Sequence, residues 1–96
     1  MNIGKINGVF FGGKIKVHAY DGNIYGEKTI DTDNITNIGY SDKSGRTNIS
    51  VNNGNRCKNY NTPHNSGVFH HLMIINAYNA ACGRNVTIDV PESSRK

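Results

Sequence analysis

The sequence predicts a mainly β domain with one α-helix: five or six short strands, with the helix placed before the last of them. Three observations predict it. Stretches with an apolar residue at every second position recur, as at Ile15, Val17 and Ala19. Pairs of turn-forming residues separate these stretches. One long apolar run, residues 66–90, changes its period from 3.6 to 2 part-way along. At 96 residues and 10.5 kDa the chain forms a single domain, residues 1–96, with no room for a second core.

Taken in order, residues 1–11 read as a first strand, with Ile3, Ile6, Val9 and Phe10 apolar, and Gly12-Gly13 as a hairpin turn. Residues 14–20 alternate strictly, with Lys14, Lys16 and His18 opposite Ile15, Val17 and Ala19. Asp21-Gly22-Asn23 is the next turn and residues 24–30 a third strand, so the first 30 residues form a meander. Residues 31–37 read as a polar connection and 38–40 as a resumed strand. Residues 41–46 form a turn, and 47–51 a strand with Ile49 and Val51 apolar. Residues 52–65 read as an Asn-rich loop. Ser66 is placed to cap the helix that follows, because its hydroxyl can accept a bond from a first-turn amide. Gly83 supplies the left-handed residue that ends it, with Arg84 beside the negative end of the dipole. Val86, Ile88 and Val90 then alternate with Thr87 and Asp89 until Pro91 stops the strand.

The helix is apolar on almost every side. At about 100° per residue, Val68, Leu72 and Ile75 cover one flank and Phe69, Met73, Ala77 and Ala80 the next. Ile74, Tyr78 and Ala81 fall on the far side, and no residue from Val68 to Cys82 carries a formal charge. A surface helix on a small domain should carry a polar face. One side is therefore expected to pack on the sheet and another to meet a partner chain.

Hydrophobic residues make up 35% of the chain and charged residues 19%, so its polarity comes from Asn, Gly, Ser and Thr. That balance suits short strands and turns. The net charge of +4 permits an anionic partner without demanding one, because there is no Lys/Arg run. No apolar run approaches the roughly 18 residues of a membrane span. No signal peptide is legible at the start, so the protein either stays inside the cell or, as a mature chain, is secreted or periplasmic. Cys57 and Cys82 match no zinc pattern. They either form a disulfide, closing a loop of about 25 residues in an oxidising compartment, or Cys82 simply packs as a small apolar residue.

No catalytic constellation is present. There is no nucleophile elbow around Ser41 or Ser44, no phosphate loop, and few carboxylates outside turns. His70 and His71 are adjacent, so on a helix they diverge and cannot share a metal ion. The chain reads as a binding module without metal or cofactor.

The order of elements is similar to a small, partly open barrel of the OB type. The segment Phe69, Leu72-Met73, Ala77-Tyr78, Ala81, Gly83-Arg84 and Val86-Thr87-Ile88-Asp89-Val90 also resembles the B subunits of bacterial AB5-type toxins. In that group a Leu/Met-rich helix runs into a small residue, Gly-basic and V-T-I-x-V. Tyr40-Ser41-Asp42 resembles a Tyr-Ser-Asp near the sugar-binding serine of the subtilase-type branch. The resemblance implies a non-catalytic delivery subunit that binds cell-surface glycan and forms a homo-oligomeric ring, commonly a pentamer, with a catalytic A subunit as a further candidate partner. The aromatic and polar residues available for a sugar are Tyr20, Tyr25, Tyr40 and Tyr60 with Ser41, Lys43 and Arg46; the expected site is Tyr40, Ser41, Lys43, Arg46 and Tyr60, and the expected ring interface Phe69, Met73, Asn76, Ala77 and Ala80. Two alternatives remain. One is an OB-type binder of single-stranded nucleic acid using Lys14, Lys16, Arg46, Arg56 and Lys58. The other is a phage or bacterial interaction protein with no small ligand.

Overall fold

In a computed structural model of the chain, residues 12–91 are described. They form strands β1 (Lys14–Asp21), β2 (Ile24–Asp31), β3 (Ile35–Ser41), β4 (Arg46–Asn53) and β5 (Arg56–Asn61), helix α1 (Gly67–Ala81) and strand β6 (Thr87–Asp89). The expected class, mainly β with one helix before the last strand, is the observed one. The first strand expected over residues 1–11 lies outside the described residues.

The strands make one sheet in the order β2-β1-β5-β4-β3, with β6 parallel to β1. One edge of β1 pairs with β2 along its length. Its other edge takes β6 at residues 14–16 and β5 at Tyr20 and Asp21. Among the described residues neither β2 nor β3 gains a second neighbour, so the sheet is open rather than closed.

Alternation in β1 works as expected: Ile15, Val17 and Ala19 are fully buried. They meet Ile74, Ala77 and Ala81 of α1, with Ile30, Ile49 and Val90 completing the core. Ile35, Ile38, Val51, Tyr60 and Ile88 pack around it. Gly13 makes the helix's approach possible. Its amide donates to the Ala81 carbonyl at 2.9 Å, and the next amide, of Lys14, donates to the Val86 carbonyl at 2.8 Å. A Cβ on Gly13 would lie 2.1 Å from the Val86 oxygen and 2.7 Å from that of Arg84, both backbone atoms.

Three expectations need correction. Residues 35–37 are strand, not connection. A bulge gives β3 one extra residue between Ile35 and Asn37, so Ile35 and Ile38, three apart, both reach the core and the period of two is lost. Residues 56–61 are strand, not loop. β5 has no fully buried residue and is held by ladders to β4 and β1 rather than by an apolar face. The missed signal is Gly54-Asn55, which repeats Gly22-Asn23: both are two-residue hairpin turns with a left-handed glycine. Third, Ser66 stands before the helix but its side chain caps nothing. Its buried hydroxyl donates instead to the Gly45 carbonyl at 3.0 Å. Gly83 does adopt the left-handed conformation after the helix.

α1 buries His70, Ile74, Ala77 and Ala81, one residue per turn, against the sheet. The opposite side is uncovered within the chain: Val68, Leu72 and Met73 are exposed, and Phe69 is 73% exposed. On the flank, His71 Nδ1 lies 3.2 Å from Thr47 Oγ1 and the imidazole lies 5.3 Å from the Tyr40 ring.

Two predictions follow from this packing. Gly13→Ala should destabilise the protein by on the order of 3 kcal/mol, read as a lower urea midpoint, because backbone must move to admit the methyl group. Burial holds the His71 imidazole below the ordinary histidine range of about 6.5. The unfolded chain therefore binds the proton more readily. This contribution to stability is complete above about pH 6.5 and is lost as pH falls through the lower folded value. Urea midpoints should drop between pH 7 and pH 5, and by less in His71→Asn, which keeps a polar partner for Thr47.

Candidate functional site

Opposite the helix, the sheet presents a polar face. Strand periodicity puts Tyr20, Ser41, Arg46, Asn48, Ser50, Asn59 and Asn61 on it, because their cross-strand partners face the same way. A concavity of about 440 Å³ opens there, lined by Gly39, Tyr40, Ser41, Ser44, Arg46, Asn48 and Asn61.

The amides and hydroxyls across β4 and β5 are tied to one another. Asn48 Nδ2 donates to Asn61 Oδ1 at 3.0 Å, and Ser50 Oγ lies 3.1 Å from Asn48 Oδ1 and 2.9 Å from Asn59 Oδ1. Such a row offers fixed donors and acceptors without a net charge. Beside it the Tyr20 and Tyr25 rings lie 4.9 Å apart, and the Arg46 guanidinium sits 5.6 Å over Tyr20. Aromatic faces next to fixed polar groups are what a sugar requires, since its hydroxyls must exchange water bonds for equally good ones.

A buried hydroxyl chain positions Arg46. Ser66 donates its one hydroxyl proton to Gly45, so the 2.6 Å contact between Thr62 Oγ1 and Ser66 Oγ uses the Thr62 proton. Thr62 Oγ1 in turn accepts from the Thr47 amide at 2.8 Å. This clamps the turn after Ser41 to the segment that enters the helix, and Arg46 Nε donates to the Thr62 carbonyl at 2.7 Å. The guanidinium also lies 3.5 Å from His64 Nε2.

The five residues expected to bind sugar are not gathered in one place. Ser41 and Arg46 share the concavity with Tyr40, but the Tyr40 ring turns to the helix side, toward His71. Tyr60 faces the core side and lines a different hollow. Lys43 is exposed in the turn and lines neither. The physical reason is alternation: neighbours such as Tyr40 and Ser41 in one strand point to opposite faces. Tyr20 is among the aromatic candidates in the sequence, whereas Asn48 and Asn61 are not selected from it. Alternation with Ile49 in the expected strand 47–51 already puts Asn48 on the polar face, but Asn61 could have been found only once β5 was recognised as a strand.

The expected interface residues are closer together. Met73, Asn76, Ala77 and Ala80 line a groove between α1 and β6, and Phe69 lies a turn earlier on the exposed side. Ala77, however, is 5% exposed and belongs to the core of its own domain, so it offers little surface to a neighbour.

The disulfide is not formed: Cys57 and Cys82 are free and exposed. Cys82 follows the helix end that meets Gly13, whereas β5 joins β1 at its far end and carries Cys57 further away. At about 3.3 Å per strand residue, β1 alone separates them by roughly 20 Å, against the roughly 7 Å limit between Cα atoms of a bridged pair. Among the described residues no three His, Cys, Asp or Glu side chains gather to hold a metal ion, and no helix is long and apolar enough to cross a membrane.

No family model matches the chain, and no curated protein or solved structure matches it either.

Proposed function

We propose that the protein is a non-catalytic glycan-binding module, acting as the delivery subunit of a bacterial toxin or a relative of one, and that it works as a homo-oligomeric ring after export. The observation that carries the sugar reading is the row of linked amides and hydroxyls at Asn48, Ser50, Asn59 and Asn61 beside the Tyr20 face and Arg46. The resemblance of the helix-and-strand segment to AB5-type B subunits supports the toxin reading. The uncovered helix side supports the ring: Phe69, Leu72 and Met73 are apolar, exposed and uncharged around their circumference.

The nucleic-acid alternative draws less support. Arg46 and Lys16 lie on the polar face, whereas Arg56 and Lys58 lie on the other, and Lys14 is 3.4 Å from Asp31. These cations make no continuous track for a phosphate backbone.

Two experiments test the reading. On a glycan array, binding should be lost in Arg46→Ala and Asn48→Ala and weakened in Ser41→Ala, all with unchanged circular dichroism; undiminished binding in the first two removes the site. Light scattering after size exclusion should give a mass of several chains, near five for a pentamer. Phe69→Asp should reduce it to one chain, because a buried unpaired carboxylate at the interface is costly. A monomeric parent protein at high concentration rejects the ring.

A further inference from the structure

The inner face of the β4–β5 hairpin carries a second polar hollow. The hairpin runs past Ile49, the last fully buried residue on β4, and leaves Val51 only partly covered. Beyond it lies a concavity of about 270 Å³ lined by Val51, Asn53, Arg56, Lys58 and Tyr60. The Lys58 ammonium is 5.8 Å from the centre of the Tyr60 ring and 2.8 Å from Asp21 Oδ2. Lys28 also lies within electrostatic reach of Asp21. Asp21 therefore faces two cations, Lys28 and Lys58, and Arg56 stands beside Lys58 in the hollow, so the cluster keeps a net positive charge.

The chemistry of this hollow is that of an anion site with an aromatic wall. A guanidinium presents parallel N–H donors that match two oxygens of a tetrahedral oxyanion. Lys58 adds a point charge, and the Tyr60 ring with Val51 offers an apolar surface for the body of the ligand. Lys58 already holds the Asp21 carboxyl below its ordinary range, so Asp21 competes directly with any incoming anion for that ammonium.

From this we infer that the hairpin hollow binds the sulfate or phosphate ester of an anionic saccharide, with Arg56 and Lys58 on the oxyanion and the sugar ring against Tyr60. A single compact hollow suits one charged group on a small ligand. A nucleic-acid strand would need cations spaced along its length, and Lys14, Lys16 and Arg46 project from the opposite face. The site is separate from the polar face proposed for neutral sugar, so Arg46→Ala should leave it intact, and the failure of either site leaves the other readable.

The test is calorimetric titration with a sulfated heparin-derived disaccharide, its desulfated counterpart and a short oligothymidylate. The sulfated form should bind at least about tenfold more tightly than the desulfated one, and Arg56→Gln should remove about tenfold, the scale of a charge-assisted bond. Asp21→Asn should strengthen binding by about two- to fivefold by releasing Lys58, an increase that misfolding cannot mimic. Inorganic phosphate should compete. Equal affinity for the two disaccharides, no effect of Arg56→Gln, or weaker binding in Asp21→Asn overturns the assignment. Tighter binding of oligothymidylate than of the sulfated disaccharide overturns it in favour of a nucleic-acid site.

Discussion

The contact between β1 and the end of α1 is the constraint on which the rest of the structure depends. β1 touches β2, β5, β6 and the helix, so its position sets theirs. Its inward residues are β-branched or small, and the helix opposes them with Ile74, Ala77 and Ala81. Two alanines let the helix lie close, and Gly13 lets the chain pass beneath Ala81 and Val86 with both amides bonded. Hydrophobic burial supplies the attraction, but the absence of a side chain at residue 13 permits the geometry.

That arrangement spends most of the apolar residues on one side of the sheet. The other side is built from Asn, Ser, Tyr and Arg side chains that bond to one another or to backbone. A surface of this kind stays ordered without apolar burial because its partners are already in place, which lowers the entropy a ligand must overcome. The buried Thr47–Thr62–Ser66 chain connects the two sides: it fixes the entry to the helix and, through Thr62, the guanidinium of Arg46. Helix docking and the geometry of the polar face are therefore mechanically linked.

The two ends of the molecule differ in electrostatics. The polar face carries Arg46 as a stacked cation beside neutral groups. The β4–β5 hairpin carries Arg56 and Lys58, with Lys58 bonded to Asp21 of β1 and Lys28 of β2 also within its electrostatic reach. Exposed pairs such as Asp21–Lys58 add little to stability in water. Their significance lies in where they leave charge uncompensated.

The sequence by itself determined the class of the domain, the alternation of β1, the left-handed glycine after the helix and the helix's lack of a charged side. Each is local: side-chain period and glycine conformation act over a few residues. The tertiary structure alone decided the rest. β5 is invisible to an apolar pattern because RCKNYN is held by neighbouring strands, and the bulge at Ile35–Asn37 hid the start of β3 by breaking its period. Only the register shows that Tyr40 and Tyr60 face away from Ser41, that Asn48 and Asn61 stand beside Arg46, and that Cys57 and Cys82 lie too far apart to bond. Those facts come from pairings between residues distant in the chain, which no window of sequence contains.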